Sequence, residues 1–211
     1  MEKPNWQRLP HEQAAEVMRT IGAQADAAVF SKQLTEVTCR ILPFYNRFKL
    51  YRLTNYATMP CFTMDYLGSE AEDKFYTLDG LANTLYDVND HDGIELSADT
   101  VVPYIDFFFA QVQGPDGDIY LIKSPEGLPM LGSLPQNQQD SVREHFVPLD
   151  VSEDPDNQSF KIRATLYYGG SLISAQINVH RRGLITIKDQ TLLLQGIHFP
   201  QSPIEHKYIS D

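Results

Sequence analysis

Hydrophobic and polar positions alternate with period two through the last third of the chain. Phe160, Ile162, Ala164 and Leu166 alternate with Lys161, Arg163 and Thr165, and after Gly169-Gly170 the residues Ala175, Ile177 and Val179 alternate with Gln176, Asn178 and His180. Ile185 and Ile187 follow Gly183, and the run Leu192-Leu193-Leu194 follows Asp189-Gln190. Successive side chains of a strand face opposite sides, so alternation broken by turn residues predicts an antiparallel meander over residues 158–197, buried on one face and wet on the other. Asp150 to Gln158 reads as an acidic loop before it. The tail from His198 holds Pro200 and Pro203 without any period and reads as extended or flexible.

Nearer the N-terminus the period lengthens. Ala14, Val17, Met18, Ile21, Ala25 and Ala28 recur at spacings of three and four after Pro10, which predicts a helix over residues 11–28. Leu34, Val37 and Ile41 suggest a second helix that stops before Pro43. Strands are expected at 44–53, 62–68 and 74–78, the last closed by the turn dipeptide Asp79-Gly80. Residues 101–112 form the most apolar helix: Val101, Ile105, Phe108 and Val112 make a stripe, widened by Val102, Phe107 and Phe109. A helix this apolar buries most of its faces. Its cap is expected at Asp99 or Thr100, which would place Pro103 in the first turn, where proline costs little. Gly114-Pro115-Asp116-Gly117 is a turn, 119–122 a strand, 124–135 a proline- and glycine-rich loop, and 137–146 a short polar helix.

This order of elements defines an α+β class, with N-terminal helices and a buried central helix on one face of a curved, mainly antiparallel sheet that ends in the C-terminal meander. About six to eight strands are expected in that sheet. Residues 1–197 are expected to form a single α+β domain, with a sub-division into 1–113 and 114–197 as the alternative and 198–211 as a tail.

Composition narrows the classes of partner. The chain has 211 residues and a formal charge of −11, whereas nucleic acids and anionic membranes recruit proteins through Lys and Arg that neutralise phosphates. Neither is expected as a partner. One local exception, Arg40, Arg47, Lys49 and Arg52 among Phe44, Tyr45, Phe48 and Tyr51, reads as a strand with aromatic residues inward and cations outward. The two cysteines, Cys39 and Cys61, make no framework of disulfides, and the first residues show no basic segment followed by an apolar run. A cytoplasmic location is therefore expected.

Local catalytic motifs are absent: the sequence holds no glycine-rich phosphate loop, no HExxH and no GxSxG. Asp87, Asn89, Asp90, His91, Asp92 and Gly93 offer oxygen ligands at near-alternate positions, but the glycine falls one place late for a calcium loop and the twelfth residue is Ala98 rather than Glu. The stretch is read as a solvated acidic turn. The six histidines are scattered, so no metal site and no cofactor is expected. A general base would need His145 or His180 to meet a carboxylate in a cleft, and Glu144 lies about 100° round the helix from its neighbour His145. His180, Arg181 and Arg182, expected at a hairpin tip, are candidates for contact with an anion or a partner's carboxylate.

The chain has eleven Tyr and eleven Phe. Aromatic rings fill a core or line a pocket, and Tyr45, Tyr51, Tyr66, Tyr104 and Phe108 are the candidate lining residues for a small apolar or planar ligand. Three functional readings follow in order: a non-catalytic binding or regulatory module acting on a protein partner or by self-association; a pocket protein; an enzyme using a dispersed histidine and carboxylates.

Overall fold

The computed structural model describes residues 5–24, 30–31, 33–129 and 131–197, and among them every strand pairing is antiparallel. The molecule is an α+β protein whose described strands divide into three sheets rather than the one anticipated. Strands joined by short connections pair with their neighbours in sequence, so each stretch of meander closes on itself. The chain falls into two compact units, Met1–Ile94 and Glu95–Asp211. The apolar helix thus opens the second unit, and the boundary precedes the 113/114 division considered from sequence.

In the first unit β1 (Gln7–Arg8) leads into α1 (His11–Gln24), followed by β2 (Thr35–Ile41), β3 (Lys49–Asn55), β4 (Phe62–Ser69), β5 (Lys74–Thr77) and α2 (Ala82–Asp92). The five strands form one meander in chain order. Ala14, Val17 and Ile21 of α1 share a core with Val37, Cys39, Tyr51, Leu53, Tyr66 and Phe75. Spacings of three and four in the helix and two in the strands bring these residues to one side of each element. Each fully buried aliphatic side chain contributes about 1.5–3 kcal/mol. Gly68 lies opposite Phe75, where a Cβ would fall 2.2 Å from the phenyl ring.

Four expectations are corrected here. Residues 34–41 are not a helix: Leu34 and Ile41, two members of the supposed stripe, are 49% and 69% exposed, and β2 pairs along its length with β3. Its Thr35, Val37, Thr38 and Ile41 are β-branched and suit a pleated surface. The strand expected at 44–53 begins at Lys49 instead, and the buried Leu42, Phe44, Tyr45 and Phe48 belong to the connection before it. Asp79-Gly80 makes no hairpin but starts α2: the Asp79 carboxylate accepts the Leu81 N–H at 3.0 Å and the Thr84 hydroxyl at 3.4 Å. The acidic stretch 87–93, read as a solvated turn, is the end of that helix, with Gly93 at φ 69° as its left-handed C-terminal residue. The part of the first predicted helix beyond Gln24 lies outside the described residues.

The second unit runs α3 (Ala98–Gln111), β6 (Gln113–Gly114), β7 (Gly117–Asp118), β8 (Tyr120–Ile122), α4 (Gln136–His145), β9 (Asp150–Asp154), β10 (Ser159–Tyr168), β11 (Ser171–His180) and β12 (Ile185–Leu194). β6 and β7 pair only with each other; β12, β11, β10 and β8 are neighbours in that order, and β9 also pairs with β10. The predicted meander is thus β10–β12. Residues 150–154, expected as loop, form a strand because their polar side chains suit an edge position beside β10. The cap of α3 is Ser97, not Asp99 or Thr100; its N–H is bonded by the Thr100 hydroxyl at 2.9 Å. Pro103 consequently lies in the second turn, in a helix whose Val101, Tyr104, Ile105, Phe107, Phe108 and Phe109 are all buried.

The sheet of the second unit has two differently used faces. Phe160, Ile162, Ala164, Ala175, Ile177 and Val179 are 0–1% exposed on one of them. On the other, Tyr167 and Leu172 join Ile122, Leu128, Leu131, Leu134 and Val142 of α4 in a second cluster. That cluster covers only one end of the face. Thr165, which donates to the Val147 carbonyl at 2.9 Å and accepts its N–H at 3.0 Å, marks where cover ends.

Candidate functional site

The five aromatic candidates are core residues of two different units. Tyr45, Tyr51 and Tyr66 are 6%, 0% and 2% exposed in the first; Tyr104 and Phe108 are 0% and 5% exposed in the second. Tyr45 donates to the Asn89 side chain at 2.7 Å, Tyr51 to Glu70 at 2.5 Å, Tyr66 to the Met64 sulfur at 3.5 Å and Tyr104 to the Gly183 carbonyl at 2.7 Å. Burial, reinforced by the bonded Glu70 carboxylate, raises the Tyr51 hydroxyl far above the usual phenol range, so it acts as a fixed donor. Phe108 packs against Phe109 and Tyr104.

His180, Arg181 and Arg182 lie at the turn between β11 and β12, as expected. Arg181 is committed within its own unit: it donates to the Leu96 carbonyl at 3.3 Å, pairs with Glu153 at 3.3 Å and lies 5.2 Å from the Phe160 ring centre. His180 accepts the Arg182 N–H at 3.1 Å through Nδ1. His145 donates from Nδ1 to the Ser141 carbonyl at 2.8 Å. The two histidines considered as bases therefore hold backbone.

A different histidine meets a carboxylate. His91, near the end of α2, has Glu72 at 2.5 Å from Nε2 and Lys74 at 3.3 Å from Nδ1. An ammonium only donates, which assigns the tautomer protonated on Nε2. Arg47 reaches Glu72 at 2.6 Å, the His91 carbonyl, and Asp92 at 3.3 Å. The buried Asp92 carboxylate also accepts the N–H groups of Asn46 at 2.8 Å and Arg47 at 3.0 Å. The hydrogen bond from His91 holds Glu72 below the usual carboxylate range, with Arg47 adding to the effect against partial burial. Both ring nitrogens of His91 are occupied by the protein, so neither is left to accept a substrate proton in this arrangement. The cluster fastens α2 to the β4–β5 hairpin.

Two features remain with their chemistry unspent. The first is a groove of about 360 Å³ on the uncovered end of the second unit's sheet, lined by Asp150, Ser152, Lys161, Arg163, Gln176 and Asp189, among others. Its centre is one cross-strand row: Asp150 pairs in register with Arg163, and Arg163 with Gln176. Lys161 is neutralised by Asp154 at 2.7 Å, which lies below its ordinary range because of that bond and one from Asn157. No described residue forms a hydrogen bond or ion pair with the side chains of Arg163, Asp150 or Asp189. Asp189 sits at a bulge. Between the pairs Gln176–Lys188 and Ser174–Thr191 the strand β12 carries an extra residue, and Asp189 takes φ 44°.

The second feature is the end of the first unit's sheet where β2 begins and the β3–β4 loop turns. Leu34, Tyr56 and Phe62 are 49%, 56% and 41% exposed there, and Met59 is fully exposed. They are held together by backbone pairing: the Tyr56 N–H donates to the Leu34 carbonyl at 2.9 Å, and Asn55 pairs with Thr35 and Phe62. The Asn55 side chain accepts the Ala57 N–H at 2.8 Å and shapes the start of the loop.

The sequence reading named none of these groove and loop-tip residues as a site. Lys161 and Arg163 were legible as wet-face positions, but their convergence with Asp150 and Asp189 depends on a register and a bulge that alternation does not encode. Among the described residues no group of His, Cys, Asp and Glu is arranged to hold a metal ion, and no helix is long and apolar enough to cross a membrane. No protein-family model matches the chain, and neither curated proteins nor solved structures yield a match.

Proposed function

We propose that the chain is a non-catalytic binding module that docks a protein partner through the loop tip of its first unit. The observation that carries this reading is the wholly exposed Met59, on the loop that runs from the half-exposed Tyr56 to Phe62, with Leu34 exposed at the same end of the sheet. Solvated loops gain nothing from apolar side chains, and clusters of them rimmed by polar groups mark contact surfaces. An unbranched methionine on a loop that also carries an exposed tyrosine and phenylalanine fits an apolar cleft on a partner, because Met adapts to irregular gaps and aromatic anchors dominate interface energies. The acidic chain around it disfavours an anionic bilayer as the occupant. The occupied nitrogens of His91 remove one support for an enzymatic reading.

The test is a photo-crosslinking amino acid placed at Met59 in cells, with the exposed Asp140 as the control position. A defined heterologous protein crosslinked from position 59 and not from 140 supports the reading. A crosslinked homodimer would replace the partner by a second copy of the chain. Equal capture from both positions, or none from 59, would overturn docking through this tip.

A further inference from the structure

We propose a second, independent site: the groove on the sheet of the second unit binds an α-amino-acid zwitterion, free or as a dipeptide, with its carboxylate on Arg163 and its ammonium between Asp150 and Asp189. Directly opposed residues on one face of an antiparallel pair stand ~4.5–5.5 Å apart at Cβ. Asp150, Arg163 and Gln176 are successive members of such a row, yet the guanidinium makes no ion pair among the described residues. An unengaged guanidinium presents a planar fork of donors suited to a carboxylate. Gln176 and the hydroxyls of Ser152, Ser174 and Thr191 surround it with neutral hydrogen-bonding groups.

The bulge supplies the other half. A left-handed backbone costs an ordinary L-residue ~1–2 kcal/mol, and Asp bears it better than most. Glycine would remove that cost. The chain instead keeps a carboxylate at φ 44°, and the extra residue brings Thr191 onto the same side as Ser174 and Gln176. With Lys161 neutralised by Asp154, the unpaired charges lining the groove are one guanidinium and two carboxylates. A ligand with a single negative charge would meet Arg163 but also the repulsion of both acids. A singly positive ligand would leave Arg163 unmatched. Carrying both charges a few ångströms apart satisfies the row. A volume of about 360 Å³ lies at the small end of ligand clefts, ~300–1,000 Å³, which fits one or two residues rather than a folded partner.

The experiment is an amide chemical-shift titration of the full chain at pH 7 with four probes: alanine, Ala-Ala, N-acetyl-Ala-Ala and Ala-Ala amide. Saturable shifts confined to residues 150–152, 161–163, 174–176 and 189–191 are expected for at least one zwitterion, with the two capped peptides at least about tenfold weaker. Saturation by alanine as well as Ala-Ala would identify the free amino acid as sufficient; saturation by Ala-Ala alone would identify the dipeptide. Asp189→Asn tolerates the same backbone and removes only charge, so it should weaken the zwitterion and spare the acetylated peptide. Arg163→Gln should abolish binding of both. No saturation by either zwitterion up to about 10 mM, equal affinity for charged and capped probes, or indifference to both substitutions in folded protein would overturn the proposal.

Discussion

The two units solve the same construction problem and leave opposite residues exposed. Each follows a helix with an antiparallel meander, but the first ties its buried acids Asp65 and Asp92 to arginines. Arg52 grips the buried Asp65 through two bonds of 2.8 and 2.9 Å while lying 4.6 Å from the Trp6 ring centre, and Arg47 ties Asp92, Glu72 and the His91 carbonyl together. What it leaves unsatisfied is apolar: Leu34, Tyr56, Met59 and Phe62. The second unit has strands of 10 residues, and their length runs past the cover supplied by α4. Although Leu184 and Leu192 are exposed too, the groove beyond that cover is charged, with Arg163, Asp150 and Asp189 among its lining residues. Unspent apolar surface asks for a large dry partner, and an unspent set of opposite charges asks for a small polar one. On the two proposals made above, the contrast is one of ligands as well as of exposed surfaces.

The strongest way to break this comparison is to test the two faces of β10. Phe160→Ala empties a fully buried site and removes the ring under Arg181; it should cost about 3–5 kcal/mol in urea denaturation. Lys161→Ala, one residue away on the wet face, loses one ion pair whose lysine is half-exposed and should cost about 1 kcal/mol. Similar losses at 160 and 161 would mean that the groove face is as closely built as the core. Next in size is Asp92→Ala in the first unit. It leaves the part-buried N–H groups of Asn46 and Arg47 without their acceptor, at about 1 kcal/mol for each. Asp150→Ala in the second unit should be neutral within about 0.5 kcal/mol, since no described residue pairs with its carboxylate. A comparable loss at both acids would erase the distinction between spent and unspent charge.

Legibility from sequence followed how locally each element is encoded. The meander of β10 to β12 could be read because its Ile162, Ala164, Ile177 and Val179 alternate under a one-sided burial that period two reports directly. β2 was read as a helix because Leu34, Val37 and Ile41 fit a 3.6 period; what decided against it was pairing with β3, a non-local event. The acidic stretch ending α2 resembled a loop because Asp92 is a buried acid whose partners, the amides at 46 and 47, lie far away in sequence. The aromatic count signalled burial without saying whether rings would enclose space or fill it. The groove was illegible for a sharper reason: the extra residue at Asp189 changes the parity of β12, and Asp189-Gln190 reads equally well as a turn.

Asp189→Gly separates function from stability at that bulge. Glycine relieves the left-handed backbone, worth ~1–2 kcal/mol, against its own extra chain entropy of ~0.5–1 kcal/mol. Net stability should rise by up to about 1 kcal/mol while zwitterion binding falls. Thermal denaturation alongside the shift titration checks both quantities. A clear loss of stability would show that the carboxylate is held by contacts of its own and is structural.

The smallest effect expected is on acid stability, and it sharpens the comparison because each unit has a carboxylate lowered by a neighbour. In the first unit the hydrogen bond from His91, followed by Arg47, lowers Glu72; in the second, the hydrogen bond from Lys161, followed by Asn157, lowers Asp154. A carboxyl whose folded value lies below its unfolded value stabilises the fold fully above the unfolded value, and that contribution is lost as pH falls through the folded one. The relevant window lies below about pH 4.3 for Glu72 and below about pH 3.9 for Asp154. Glu72→Gln and Asp154→Asn should each make stability less steeply dependent on pH there. Carboxyl carbon shifts followed through the titration give the direct reading. His91→Ala should move the Glu72 midpoint upward and leave Asp154 alone, whereas Lys161→Gln should do the reverse. An unmoved Glu72 midpoint in the His91 variant would show that the first unit does not spend its charges on one another in solution, and the contrast between the units would lose its electrostatic half.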